Sequence, residues 1–134
     1  LQHHATVEDL PLLKTALQQM LTNEDAEYHC RLITAFDHLP GIGLVPELLD
    51  IFHQFRFSMG RAYAAQALWV TAPDDFRRKL ALECLWDCES GAREAGASAV
   101  SFDNPGARQR LEEMAGDILE EDEIKNIART RSLL

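Results

Sequence analysis

The chain is poor in positive charge, with 13 lysines and arginines against 22 aspartates and glutamates and a formal charge of −9. That deficit argues against direct binding to nucleic acid or to an anionic membrane, since both require cationic side chains that displace counterions. It favours a neutral or cationic partner. Cysteine is scarce as well. Cys30, Cys84 and Cys88 are odd in number and form no Cys-x-x-Cys pair, so no disulfide framework is indicated and a reducing, cytoplasmic setting fits. No apolar run approaches the roughly 18 residues that cross a bilayer, and residues 1–11 lack the basic and apolar pattern of a signal peptide. No segment alternates apolar and polar residues as a half-buried strand would.

What is present is helical punctuation. At 134 residues and 46% hydrophobic composition, one domain over 1–134 is expected to fold alone, with 1–8 as a flexible end. Glycine and proline gather at Pro40-Gly41-Ile42-Gly43, Ala72-Pro73-Asp74-Asp75 and Asp103-Asn104-Pro105-Gly106. Between them the apolar spacing is that of helices, as in Tyr28, Leu32, Ala35, Phe36 and Leu39. Eight helices are predicted near 9–21, 24–39, 45–56, 59–71, 74–88, 91–102, 105–119 and 122–132, with Asn23, Ser58, Ser90 and Asn104 as N-caps. Taken in pairs they repeat. Leu17, Leu48, Leu80 and Leu111 recur at spacings of 31, 32 and 31, while Ala35, Ala67 and Ala99 recur at 32, as do Phe36, Leu68 and Val100. The expectation is an all-α chain of four stacked antiparallel hairpins. Small residues in the second helices, such as Ala64, Ala65, Ala67, Gly96, Ala97 and Ala99, would let each one approach its neighbours closely.

Arg61-Ala62-Tyr63-Ala64-Ala65-Gln66-Ala67-Leu68 reads R-x-x-A-A-x-A-L, and Arg93 to Val100 repeats it with conservative changes. This resembles the second-helix signature of HEAT-like repeats of the phycobiliprotein-lyase type, and Asp87, six residues before Arg93, stands where that family places an aspartate. Phe55 occupies the equivalent place before Arg61, and His29 to Phe36 keeps only Ala35 and the apolar sites. The specific part of the likeness covers residues 58–102. It implies an α-solenoid that presents an extended surface to another macromolecule. Some members of the family are bilin lyases or alkylated-base glycosylases, but no catalytic residue matches the first and the −9 charge opposes the second.

Other constellations read as structural. Cys84 and Cys88 extend the apolar line Phe76, Leu80 and are expected in the core, while His3-His4, His29, His38 and His53 lack ligand spacing, so neither a metal nor another cofactor is expected. Gly41-Ile42-Gly43 has no following lysine and no preceding strand, hence it is a turn between repeats rather than a phosphate loop. No nucleophile motif is present, and the expectation is a non-enzymatic binding protein.

Acidic residues concentrate at both ends, with 2 basic and 8 acidic side chains in 1–50 and 5 and 8 in 101–134. The repeat register aligns Trp69 with Asp37 and Ser101, which predicts an exposed anchor on the second helices. The partner-binding surface is therefore expected to comprise Glu27, Thr34, Asp37, Gln66, Trp69, Glu94, Ser98 and Ser101. The concrete reading is a monomeric immunity or antitoxin-type protein that neutralises a basic effector such as a nuclease. The alternatives are an adaptor module of a larger solenoid and, less strongly, a bilin-lyase-like or nucleobase enzyme.

Overall fold

Helix starts recur every 32 residues, at Ala26, Ser58, Ser90 and Asp122. The computed structural model describes residues 4–23 and 26–134, apart from the side chains of Ala26, Glu27 and Tyr28. Among the described residues the chain is all-helical, with no strand. In chain order the elements are η1 (Val7–Asp9), α1 (Leu10–Thr22), η2 (Ala26–His38), α2 (Pro46–Gln54), α3 (Ser58–Thr71), α4 (Pro73–Lys79), α5 (Ala81–Cys84), α6 (Ser90–Ala99), α7 (Ala107–Gly116) and α8 (Asp122–Ser132). They fall into two compact units, Leu1–Pro73 and Asp74–Leu134.

In the first unit α1 packs on η2 and on α2, α2 packs on α3, and η2 packs on α3. In the second, α5 packs on α6, α7 on α8, and α6 on α8. Each unit thus contains two helical pairs whose second members touch. The aligned positions fill the cores: Leu17, Leu48, Leu80 and Leu111, Ala35, Ala67 and Ala99, and Phe36, Leu68 and Val100 are all buried. Of the expected flexible end, residues 1–3 lie outside the described residues. Val7–Asp9 form a 3-10 turn in which the Thr6 N–H donates to Asp9 Oδ2 at 2.8 Å.

Several expectations change in detail. The segment expected as an α-helix over 24–39 is the 3-10 helix η2, and residues 24–25 lie outside the described residues. Its buried residues Cys30, Ile33 and Phe36, with Leu39 just beyond its end, form a stripe of period three that matches three residues per turn. The single helix expected over 74–88 is interrupted at Leu80 (φ −123°, ψ −31°) and ends at Cys84. Cys88 therefore lies beyond the helix in a turn and is exposed rather than in the core, whereas Cys84 is buried. Burial, with Asp87 and Glu83 nearby, pushes the Cys84 thiol up to about 12, so it stays protonated and inert. Ser58 and Ser90 are first helical residues, with Phe57 and Glu89 as the caps. Gly106, at φ 82°, replaces Asn104 as the cap of α7 because its left-handed backbone lets the chain turn after Pro105.

Gly41-Ile42-Gly43 is a fixed turn. The Gly41 N–H donates to Val70 O at 3.0 Å and the Gly43 N–H to Thr71 O at 2.9 Å, which satisfies carbonyls at the end of α3. Both glycines have positive φ, 69° and 104°.

In the second unit α5 and α6 come close at Gly96. A Cβ there would lie 2.7 Å from the Ala81 carbonyl oxygen and 2.8 Å from Cys84 Cβ, so α6 touches the backbone of α5. Gly96→Ala is expected to lower stability by about 1–3 kcal/mol through overpacking, against a helix-propensity gain of about 1 kcal/mol. Gly116→Ala, where nothing lies within 4 Å, is expected to be neutral or stabilising. Thermal melts of the two variants check this, and equal melting temperatures would contradict it.

Candidate functional site

The expected partner-binding residues divide between the two units. In the first, Thr34 and Asp37 lie on η2 and Gln66 and Trp69 on α3, two helices in contact, while the Glu27 side chain lies outside the described residues. Asp37 is exposed, and Thr34 Oγ1 donates to Arg31 O at 2.7 Å. Trp69 is half-buried rather than fully exposed. Its exposure was read from a common α-helical register, and η2 breaks that register by turning and rising as a 3-10 helix.

In the second unit Glu94 and Ser98 share one face of α6, and Ser101 follows it. Burial, followed by repulsion from Glu123 and Glu121, raises the Glu94 carboxyl above its ordinary value of 4.5. Ser98 borders a concavity of about 400 Å³ with Asn126, Ile127, Thr130 and Arg131. Arg131 spans it from α8, donating to the carbonyls of Ser98 and of Val100 (2.5 Å for the latter) and lying over the Phe102 ring.

The strongest polar construction in this unit joins the turn between α5 and α6 to the turn between α7 and α8. Arg93 donates through Nε and Nη2 to the two Glu120 oxygens at 2.7 and 2.8 Å, and through Nη1 to the carbonyls of Asp87 and Cys88 at 2.9 Å. Glu120 has a side chain only 4% exposed and also accepts the Glu121 N–H at 3.0 Å. Asp87, which stands where the resembled family places an aspartate, meets Arg93 through its backbone oxygen, and its carboxylate accepts the Glu89 N–H at 2.9 Å and lies within electrostatic reach of Arg93. Arg110 secures the same region from α7, donating to Leu85 O at 3.1 and 3.2 Å with its guanidinium 5.5 Å from the Trp86 ring centroid. Between these groups lies a polar concavity of about 230 Å³ bordered by Asp87, Arg93, Arg110, Asp117, Leu119 and Glu120.

Three large apolar side chains stand in solvent beside it: Trp86 (58% exposed), Ile118 (89%) and Leu119 (88%). The partner-binding surface expected from the sequence included none of these three. The available signal was their position, since both tripeptides, Leu85-Trp86-Asp87 and Ile118-Leu119-Glu120, sit at turns where polar residues are usual.

The Arg93 hydrogen bonds hold the Glu120 carboxyl below its ordinary 4.5. A lowered folded-state pKa means that the unfolded chain binds the proton more readily, so this stabilisation is present above about pH 4.5 and lost as pH falls through the lowered value. Glu120→Gln is expected to remove that component from the pH dependence of urea unfolding. Glu120→Ala, which strands most of a partly buried guanidinium, is expected to cost about 3 kcal/mol. Glu94 has the opposite sign: Glu94→Gln is expected to raise the melting temperature at pH 7 and to have no effect at pH 3, where the carboxyl is already neutral.

Comparison with protein-family models, with curated proteins and with solved structures finds no match to this chain.

Proposed function

We propose that the chain is a non-enzymatic HEAT-like solenoid of four hairpins that binds a basic protein, most concretely an immunity or antitoxin-type protein neutralising a cationic effector such as a nuclease. The 32-residue spacing of helix starts supports the four-repeat reading. The observation that carries the functional reading is how the second unit uses its charge. All nine of its lysines and arginines are engaged within it. Arg77, Arg78, Lys79, Arg93, Arg110 and Lys125 pair with carboxylates, Arg108 donates to Ser132 O, Arg129 to Asn126, and Arg131 to Ser98 and Val100. Glu83, Glu112 and Glu123 are exposed and have no cationic partner among the described residues. The outward field is therefore negative, the condition for fast, salt-sensitive capture of a cationic protein.

A pull-down from the native host at low and then raised salt tests this. The expected result is a basic protein retained at low salt and released as screening shortens the reach of the carboxylates. If that protein is a nuclease, stoichiometric addition of the chain should abolish its activity. Recovery of no basic protein at low salt would contradict the proposal.

A further inference from the structure

We infer that the turn edge of the second unit, formed by Trp86, Ile118 and Leu119, is the docking site for a basic amphipathic segment of the partner, whose apolar side chains cover these three residues while its lysines or arginines meet the carboxylates around them. The inference rests on the acidic-binder reading and adds the surface and the chemistry of the segment.

Trp86 and Ile118 are 32 residues apart and hold the same position in the turns of successive hairpins. The corresponding residue in the first unit is Gln54, exposed and polar, so the fold does not require an apolar side chain there. Arg110 links the two turns: its guanidinium lies over Trp86 and also borders the concavity that Leu119 flanks. Both arginines of this concavity are committed, Arg93 to Glu120 and to two carbonyls, Arg110 to Leu85 O and Glu113. The groups left facing solvent around the apolar residues are acidic: Glu83 one turn before Trp86, Asp117 beside Ile118, and Glu121 after Glu120, all exposed. An apolar centre with a tryptophan, ringed by one sign of charge, has the anatomy of a binding hot spot. The ring chooses the occupant. A second copy of this chain would bring carboxylates against carboxylates, whereas a segment alternating leucine-type and arginine-type side chains is complementary in both respects.

The test uses the full chain and two fluorescein-labelled helical peptides, one of leucine and arginine with a single apolar face, the other with every leucine replaced by glutamine at equal charge. The expected result is that the leucine peptide binds at least about tenfold more tightly than the glutamine peptide. Trp86→Ala and Leu119→Ser should each remove at least about tenfold of that affinity. Met59→Ala, at an exposed methionine of the first unit, should leave it unchanged, and Asp117→Asn should slow association and flatten its salt dependence. Equal binding of the two peptides with no effect of Trp86→Ala would overturn the docking site and leave the acidic-binder reading standing. Binding of neither peptide would overturn the site, with the salt-dependent pull-down deciding the broader reading separately. A dimer in sedimentation that Trp86→Ala dissociates would also overturn it, because the face would then be a contact between copies. Melting curves of each variant separate binding from folding: these side chains stand in water, and a sharp fall in melting temperature on Trp86→Ala would assign Trp86 to the fold instead.

Discussion

Short helices have many ends, and every C-terminal end exposes carbonyl groups that the helix itself cannot satisfy. The second unit meets this constraint with arginine. Arg93 takes the carbonyls of Asp87 and Cys88, Arg110 takes that of Leu85, and Arg131 takes those of Ser98 and Val100. A guanidinium suits the task because its planar fork can serve two acceptors at once and stays charged when partly buried. The first unit meets the same need at the end of α3 with the backbone N–H groups of Gly41 and Gly43. The electrostatic character of the surface follows from this. Arg93, Arg110 and Arg131 are committed to these carbonyls, and with 14 acidic against 9 basic side chains in the unit the surplus carboxylates define the field.

The buried positions of the helices were legible in the sequence because packing restricts what can stand there. A second helix held between neighbours must keep alanine or glycine where the backbones meet, and the residues that follow this rule, Ala35, Ala67 and Ala99, are buried as expected. Six of the eight predicted helix starts fall within one residue of the observed ones; α7 starts two residues late, at Ala107, and the start expected at 24 lies outside the described residues. The form of η2 was not legible, since its apolar residues fit a period of 3.6 nearly as well as one of three, and only the burial of Cys30 and Ile33 decides between them. The interruption at Leu80 was also hidden. Neither glycine nor proline marks it, and hydrogen bonds continue across it from Leu80 N–H to Phe76 O and from Cys84 N–H to Leu80 O. The misplacement of Cys88 follows from the end of α5 at Cys84.

The candidate site was legible in its charge and not in its position. Counting acids predicted a cationic partner, but a repeat register treats turns as spacers and directs attention to helix faces, hence to Trp69. The structure half-buries Trp69 and exposes Trp86, whose helix ends two residues before it. Glu120 shows the same gap between sequence and site. It sits in a run of acids, Glu120-Glu121-Asp122-Glu123, yet it alone of the four is buried, matched to Arg93 from 27 residues away. Nothing local in the sequence distinguishes it from its neighbours.

The central claim is that inward-facing arginines leave an acidic surface whose apolar turn edge receives a basic partner. The most direct measurement is an NMR titration of the isotopically labelled chain with the leucine and arginine peptide, followed amide by amide. The account predicts shifts concentrated at residues 83–89 and 112–121 that diminish as salt is raised. Shifts confined to the second-helix residues Thr34, Asp37, Gln66, Trp69, Glu94 and Ser98, with the turns unmoved, would contradict it.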